Sequence, residues 1–184
     1  METLVVNLLG SPSAGKSTTM ADLFARLKWE GIDCEMASEF AKDLVWEDRQ
    51  ETLSDQLYIF AKQNRKLHRL KGKAQVIITD SPLLLSAFYN NKNFGISPKF
   101  NDLVLEKFNE YQNLNYYIHR QKKYNPNGRL QTEAESNQIG IELKEMLDKY
   151  GVEYKEINGT HESVMGIVEE IKGLLYRNEK SGRV

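Results

Sequence analysis

The most chemically specific segment lies near the start of the chain and reads Gly10-Ser11-Pro12-Ser13-Ala14-Gly15-Lys16-Ser17. The spacing of its glycines, lysine and serine is typical of a phosphate-binding loop between a strand and a helix. Backbone amides in such a loop, with the positive end of the following helix, suit a polyphosphate. Lys16 adds a positive charge, and the Ser17 hydroxyl can ligate Mg²⁺. The segment therefore predicts a site for ATP and Mg²⁺, formed by Gly10, Ser13, Ala14, Gly15, Lys16, Ser17 and Thr18.

Two acids follow short apolar runs and are expected at one edge of a sheet. Asp80 could hold Mg²⁺ together with Ser17, or orient the hydroxyl group of a substrate. Glu39 could activate a nucleophile or recognise a substrate. Each also has a structural explanation, because Asp80 stands in an Asp-Ser-Pro turn sequence and Glu39 suits the first turn of a helix. The sequence leaves open which of the two is the catalytic base.

A basic segment at residues 120–132 follows the fourth predicted strand. Residues 119–129 carry four fixed positive charges and no acid, and Asn-Pro-Asn-Gly predicts a turn at the tip. We interpret the segment as a mobile lid that covers an anion and excludes water. Arg120 or Arg129 would then neutralise charge on the transferred phosphoryl group. A solvated basic loop is the alternative.

A second basic feature is a stripe on the helix predicted over residues 52–71. Its members fall within an arc of about 100° at 3.6 residues per turn, and they are Lys62, Arg65, Lys66, Arg69 and Lys73. The apolar side chains opposite, which are expected in the core, are Leu53, Leu57, Phe60 and Leu67. The stripe is either a solvated face or a contact surface for DNA. The candidates for stacking on a base are Tyr58, Tyr89 and Phe94.

Short apolar runs alternate with longer helical patterns along the chain. The predicted strands cover residues 4–9, 33–37, 75–79, 116–119 and 152–157. The predicted helices cover residues 17–29, 52–71, 98–111, 133–150 and 162–176, with shorter pieces at 40–45 and 83–89. This alternation predicts a three-layer α/β fold whose five-stranded parallel sheet is covered on both faces. We expect one domain over residues 1–178 and a flexible polar tail at 179–184.

Length and composition exclude several classes of protein. A chain of 184 residues can bury a core without disulfides, and its one cysteine, Cys34, has no internal partner. The net charge of -1 gives no whole-molecule reason to expect nucleic acid or an anionic membrane. No apolar run approaches the roughly 20 residues that span a bilayer. A cytoplasmic protein without a membrane partner is the expectation.

The phosphate loop, the Asp80 strand end and the basic lid give the chain a resemblance to the P-loop kinases of nucleosides and nucleotides. Within that group it looks most like the nicotinamide riboside kinase-like ATPase/kinase family, whose small members are frequent in bacteriophages. The resemblance implies the strand order 2-3-1-4-5. It also implies catalytic roles at Lys16, Asp80, Glu39, Arg120 and Arg129. The sequence has Asp-Ser-Pro where thymidylate and deoxynucleoside kinases carry Asp-Arg or Glu-Arg-Ser, which argues against free thymidine or thymidylate.

The expected function is transfer of the γ-phosphoryl group of ATP to a hydroxyl of a nucleoside, nucleotide or modified base. Some phage P-loop kinases phosphorylate hydroxymethylated pyrimidines within DNA, so a kinase of 5-hydroxymethyluracil-like bases in DNA is one alternative. An ATPase switch or motor subunit without a small-molecule acceptor is another. We expect a monomer or homodimer, in the cytoplasm of a bacterial host cell if the protein is phage-encoded.

Overall fold

The structure is a computed structural model that describes residues 2–180, without the side chains of residues 93, 94 and 179. Its strands are β1 (Leu4–Leu9), β2 (Cys34–Ala37), β3 (Val76–Thr79), β4 (Gln112–His119) and β5 (Lys155–Asn158). Its helices are α1 (Lys16–Trp29), α2 (Phe40–Trp46), α3 (Gln50–Ser54), α4 (Gln56–His68), α5 (Leu84–Tyr89), α6 (Pro98–Asn109), α7 (Glu133–Lys149) and α8 (His161–Lys180). A π-helical turn, Asn90–Phe94, continues α5. Of the predicted tail, residues 181–184 lie outside the described residues.

All of these strands run parallel in one sheet of order β2-β3-β1-β4-β5. Strand β1 is buried along its whole length, as expected for a strand that is covered on both faces. One apolar layer packs between the sheet and helices α4 to α7, and a second packs against α1 and α8. The predicted α/β fold and strand order are confirmed. Within residues 2–180, no helix is both long and apolar enough to cross a membrane.

The register of the sheet brings the predicted functional segments together. Thr79 at the end of β3 pairs with Asn7 of β1 on one side and with Ala37 of β2 on the other. Strand β4 pairs with β1 as far as Leu9. The phosphate loop, Glu39, Asp80 and the lid therefore all follow strands that end at the same edge of the sheet, where ligands of such folds bind.

The helix predicted over residues 52–71 is in fact two helices. Helix α3 ends and α4 begins on either side of Asp55. The Asp55 carboxylate accepts a hydrogen bond from the backbone N–H of Tyr58 (3.0 Å), so Asp55 caps α4. The helical pattern of the sequence did not predict this interruption.

The break and the end of α4 also change the predicted basic stripe. Helix α4 ends at His68, so Arg69 and Lys73 lie in the turns that follow it rather than on the helix. On the opposite side, Phe60 and Leu67 are buried as predicted. The prediction for Leu57 is wrong, because its side chain is 53% exposed.

Candidate active site

The phosphate loop connects β1 to α1 and touches β4. Gly10 lies so close to this strand that a Cβ atom would be 2.7 Å from the carbonyl oxygen of Ile118. A larger residue at this position would push the loop away from the sheet. In the described part of the chain, no backbone carbonyl accepts a hydrogen bond from the amides of Gly15, Lys16 and Ser17. Unpaired amides are expected where a helix starts, and they are available to a phosphate group.

The Lys16 side chain folds back onto this loop. Its Nζ donates to the carbonyl oxygens of Gly10 (2.9 Å) and Ser11 (3.1 Å). Burial lowers the pKa of the Lys16 ammonium, and the carboxylates of Glu39 and Asp80 oppose this effect. A positive charge in such a partly desolvated place attracts an anion more strongly than a fully hydrated one does.

Asp80 connects the phosphate loop to the segment after β2. Its side chain is buried, and its Oδ2 accepts a hydrogen bond from Ser17 Oγ (2.6 Å). Its Oδ1 accepts one from the backbone N–H of Glu39 (3.0 Å). The two predicted metal ligands, Ser17 and Asp80, are therefore in contact. Residues 2–180 contain no cluster of three or more His, Cys, Asp or Glu side chains suited to a metal, but Mg²⁺ keeps most of its waters and needs few protein oxygens.

Glu39 has a different environment from Asp80. Its side chain lines the cavity next to the phosphate loop, and no described residue donates a hydrogen bond to its carboxylate. Burial raises the pKa of the Glu39 carboxyl; Lys16 opposes this shift and Asp80 adds to it. Burial, with Glu39 nearby, also raises the pKa of the Tyr89 hydroxyl. An unbonded carboxylate with a raised pKa is suited to accept a proton.

The lid, residues 120–132, rests on the phosphate loop. The backbone N–H of Asn125 donates to Ser13 Oγ (3.0 Å). Arg129 lines the same cavity as Lys16 and Glu39. Its guanidinium donates to two carbonyl oxygens of the lid itself, at 2.9 and 3.0 Å. The structure thus brings Arg129 to the predicted phosphate site.

Arg120 at the start of the lid lies against α7 instead. Its guanidinium is 3.4 Å from the carboxylate of Glu133, hydrogen-bonds to Asn137 and lies 5.3 Å from the centre of the Tyr124 ring. It is not among the residues that line the cavity. Its catalytic role stays a prediction, and the contacts described above fix the lid to α7.

One cavity of about 400 Å³ extends from the phosphate loop to helices α3, α4 and α5. All seven residues predicted to bind ATP phosphates line its first end. Its other end is lined by apolar and polar side chains that include Leu53, Gln56, Ile59, Leu85, Phe88 and Tyr89. This size and lining are typical of a site for a small organic ligand. Of the other stacking candidates, Tyr58 packs against Phe40 outside the cavity, and the Phe94 side chain lies outside the described residues.

The cavity residues that were not singled out from the sequence include Lys42, Gln56 and Gln63. Lys42 lies one helical turn after Glu39, close enough to influence its pKa. The two glutamines are buried among the apolar residues of α4, on the face that packs inward. Helical periodicity would have revealed them once the helix was known to begin at Gln56.

The tip of the lid packs on the ring of Trp46, so a side chain at Gly128 should displace it. At Gly128 the backbone has a φ of 69°, and a Cβ atom would lie 2.5 Å from the Trp46 ring. We expect Gly128→Ala to move the lid off this ring and to cost about 1–2 kcal/mol of stability through the left-handed backbone. In a Trp29→Phe background Trp46 is the remaining tryptophan, so its fluorescence and its quenching by acrylamide report the displacement.

A matched control for this variant is Gly151→Ala. Gly151 has a similar φ of 64° but nothing within 4 Å of its would-be Cβ. This control should lose similar stability while the emission of Trp46 stays as in the parent. Unchanged quenching in Gly128→Ala would show that the lid does not rest on Trp46 in solution.

A family model described as AAA domain matches residues 5–163, which is well over half of the chain. The chain belongs to the AAA domain family. The matched residues include the phosphate loop, Glu39, Asp80 and the lid. None of the curated proteins matches it.

This AAA domain also has a structural counterpart, the crystal structure of thymidylate kinase from Ehrlichia chaffeensis at 2.15 Å resolution. The TM-score is 0.60 at 13% sequence identity, and the match covers 95% of this chain and 100% of that chain. At this identity the likeness shows the fold and not the substrate. The two findings confirm the predicted P-loop superfamily, while the narrower nicotinamide riboside kinase-like family stays a prediction.

Proposed function

We propose that this AAA domain transfers the γ-phosphoryl group of ATP to a hydroxyl group of a nucleoside, nucleotide or modified base. The observation that carries the proposal is the extent of the cavity. It continues beyond the phosphate loop to an end that is lined by the apolar side chains of Leu53, Ile59 and Phe88. An ATPase that transfers phosphate to water requires no room for a second organic molecule. The structural neighbour is a thymidylate kinase, which agrees with this proposal.

The phosphate end of the cavity supplies the binding groups for the donor. The free amides of Gly15 and Ser17 and the ammonium of Lys16 are assigned to the phosphates. Ser17 and Asp80 would hold Mg²⁺, which when bound neutralises phosphate charge and orients the reacting group. Arg129 adds a second positive charge at the same cavity.

We assign Glu39 rather than Asp80 as the general base. Both oxygens of Asp80 already accept hydrogen bonds, from Ser17 and from the backbone of Glu39. The Glu39 carboxylate is unbonded and faces the cavity. It is placed to take the proton of the acceptor hydroxyl as that oxygen bonds to the γ-phosphorus and the bond to the leaving ADP oxygen breaks.

The direct test is incubation with γ-labelled ATP, Mg²⁺ and a panel of free nucleosides and nucleotides. We expect the label in a phosphorylated acceptor, with ADP formed in equal amount. If labelled phosphate is released at the same rate in the presence and in the absence of acceptors, the proposal is contradicted and the ATPase switch is favoured.

A base within DNA is a second candidate for the acceptor. It is favoured by the basic stripe, because none of its five members forms an ion pair with a described carboxylate. Lys62 also lies over the rings of Phe40 and Tyr58, at 5.8 and 5.3 Å from their centres. Unpaired positive charge beside aromatic rings suits a nucleic-acid strand. The same assay with DNA that contains 5-hydroxymethyluracil decides: salt-sensitive labelling of DNA supports this candidate, and labelling of free nucleosides alone rejects it.

A further inference from the structure

Gln56 carries an unexplained polar group in the wall of the cavity. The residue is 4% exposed, and its Oε1 is shielded from solvent without a hydrogen-bond donor. Among the side chains of the described residues, no other buried nitrogen or oxygen lacks a partner. No described residue forms a hydrogen bond with the side-chain Nε2 of Gln56 either. Buried polar groups are nearly always hydrogen-bonded, so the exception requires an explanation.

Gln63 on the same face of α4 provides a contrast. Its Oε1 accepts a hydrogen bond from the backbone N–H of Phe40 (3.2 Å). Its Nε2 donates to the carbonyl oxygen of Ala37 and to Thr79 Oγ1, both at 3.4 Å. The protein thus satisfies one buried glutamine of this helix completely with its own groups. Gln56 is left with the cavity as its neighbour.

The surfaces around Gln56 suit a flat ring. Phe88 and Tyr89 both line the cavity, and their rings meet edge to face with centroids 5.2 Å apart. Leu53 and Ile59 line the same cavity from α3 and α4. Aromatic and branched apolar walls favour a planar aromatic ligand, whose polar edge then needs a partner.

We propose that Gln56 recognises the acceptor through two hydrogen bonds to the edge of a nucleobase that presents an N–H donor beside an acceptor atom. A glutamine amide offers an acceptor oxygen and a donor nitrogen side by side, which complements such an edge. Rotation of the amide exchanges the two atoms, so either order of donor and acceptor can be matched. This inference rests on the proposed function for the reaction, but it concerns only how the acceptor is bound.

The test measures binding of nucleosides without ATP by calorimetry. Each of uridine, cytidine, adenosine and guanosine is compared with a counterpart in which every edge N–H hydrogen is replaced by a methyl group, such as 3-methyluridine or N6,N6-dimethyladenosine. We expect at least one nucleoside to bind and its methylated counterpart to bind about tenfold or more weakly. If every nucleoside that binds is matched by its methylated counterpart, or if no nucleoside binds, the inference is overturned.

A pair of variants then assigns the effect to Gln56. Gln56→Leu should weaken the preferred nucleoside about tenfold or more and remove the discrimination against methylation, with the KM for ATP unchanged. Gln138→Leu, on the exposed side of α7, is the matched control and should bind as the parent does. Circular dichroism checks that each variant folds. If Gln56→Leu does not fold, the inference is tested by comparing the nucleosides with their methylated counterparts on the unsubstituted protein.

The outcomes separate this inference from the proposed function. Nucleoside binding that depends on Gln56 without any phosphoryl transfer would reject the function and keep the inference. If Gln56→Leu still transfers the phosphoryl group and its KM for the acceptor is unchanged, the inference is rejected and the proposed function is kept.

Discussion

Replacing Lys16 with alanine is expected to lower kcat/KM for phosphoryl transfer by at least about 1000-fold. The ammonium group is held at the phosphate loop by two carbonyl oxygens, and it is partly removed from water by burial. Charge that is fixed in place before the reaction stabilises the transition state without reorganisation. The measurement is steady-state kinetics with ATP and the best acceptor.

Lys99→Ala is the matched control for this prediction. Lys99 is an exposed lysine on α6 that does not line the cavity. Its removal should leave kcat/KM unchanged, and both variants should keep the circular dichroism spectrum of the parent. Near-normal turnover in folded Lys16→Ala would rule out the assigned phosphate site.

Glu39→Gln is expected to lower kcat by about 100- to 10,000-fold, the usual contribution of a general base. The amide keeps the size of the side chain but cannot take up the proton of the acceptor hydroxyl. In the parent, kcat/KM should fall on the acid side as pH drops through the raised pKa of the Glu39 carboxyl. This acid limb should be absent from the residual activity of the variant. Glu35→Gln, an exposed change on β2, should alter neither property.

The same substitution should stabilise the protein at neutral pH. A pKa that is raised by folding means that ionised Glu39 is disfavoured in the folded state. Its contribution to the free energy of unfolding is thus fully present below the unfolded pKa and is lost as pH rises through the folded pKa. We expect Glu39→Gln to melt at a higher temperature than the parent at pH 7 and at the same temperature in acid. A variant with lower melting temperature and an intact acid limb would show that Glu39 is structural.

Local patterns were sufficient for the phosphate loop and the sheet. The conformation of the phosphate loop is determined within eight consecutive residues. The spacing of Gly10, Gly15 and Lys16 is compatible with few other local structures. A strand covered on both faces must be apolar throughout, so β1 and β3 stood out in the sequence. Parallel order then placed Glu39 and Asp80 at one edge, as the structure confirms.

Contacts between distant segments could not be predicted in the same way. The direction of the Arg120 side chain depends on acceptors in α7, and the position of the lid tip depends on Trp46. The break at Asp55 was missed because an aspartate inside a helical pattern becomes a cap only when the chain turns there. The unpaired amide of Gln56 has no signature in the sequence, since it depends on which groups fail to reach it.

The separation of α3 from α4 has a consequence for how such a domain can diversify. Helix α3 contributes no buried residue, yet Gln50, Leu53 and Ser54 form part of the cavity wall. Of these two helices, only α4 contributes buried residues to the core, and Phe60 and Leu67 are examples. Changes in this short segment can therefore reshape the cavity wall at little cost in folding free energy, so the shape of the cavity and the thermal stability of the domain can evolve independently.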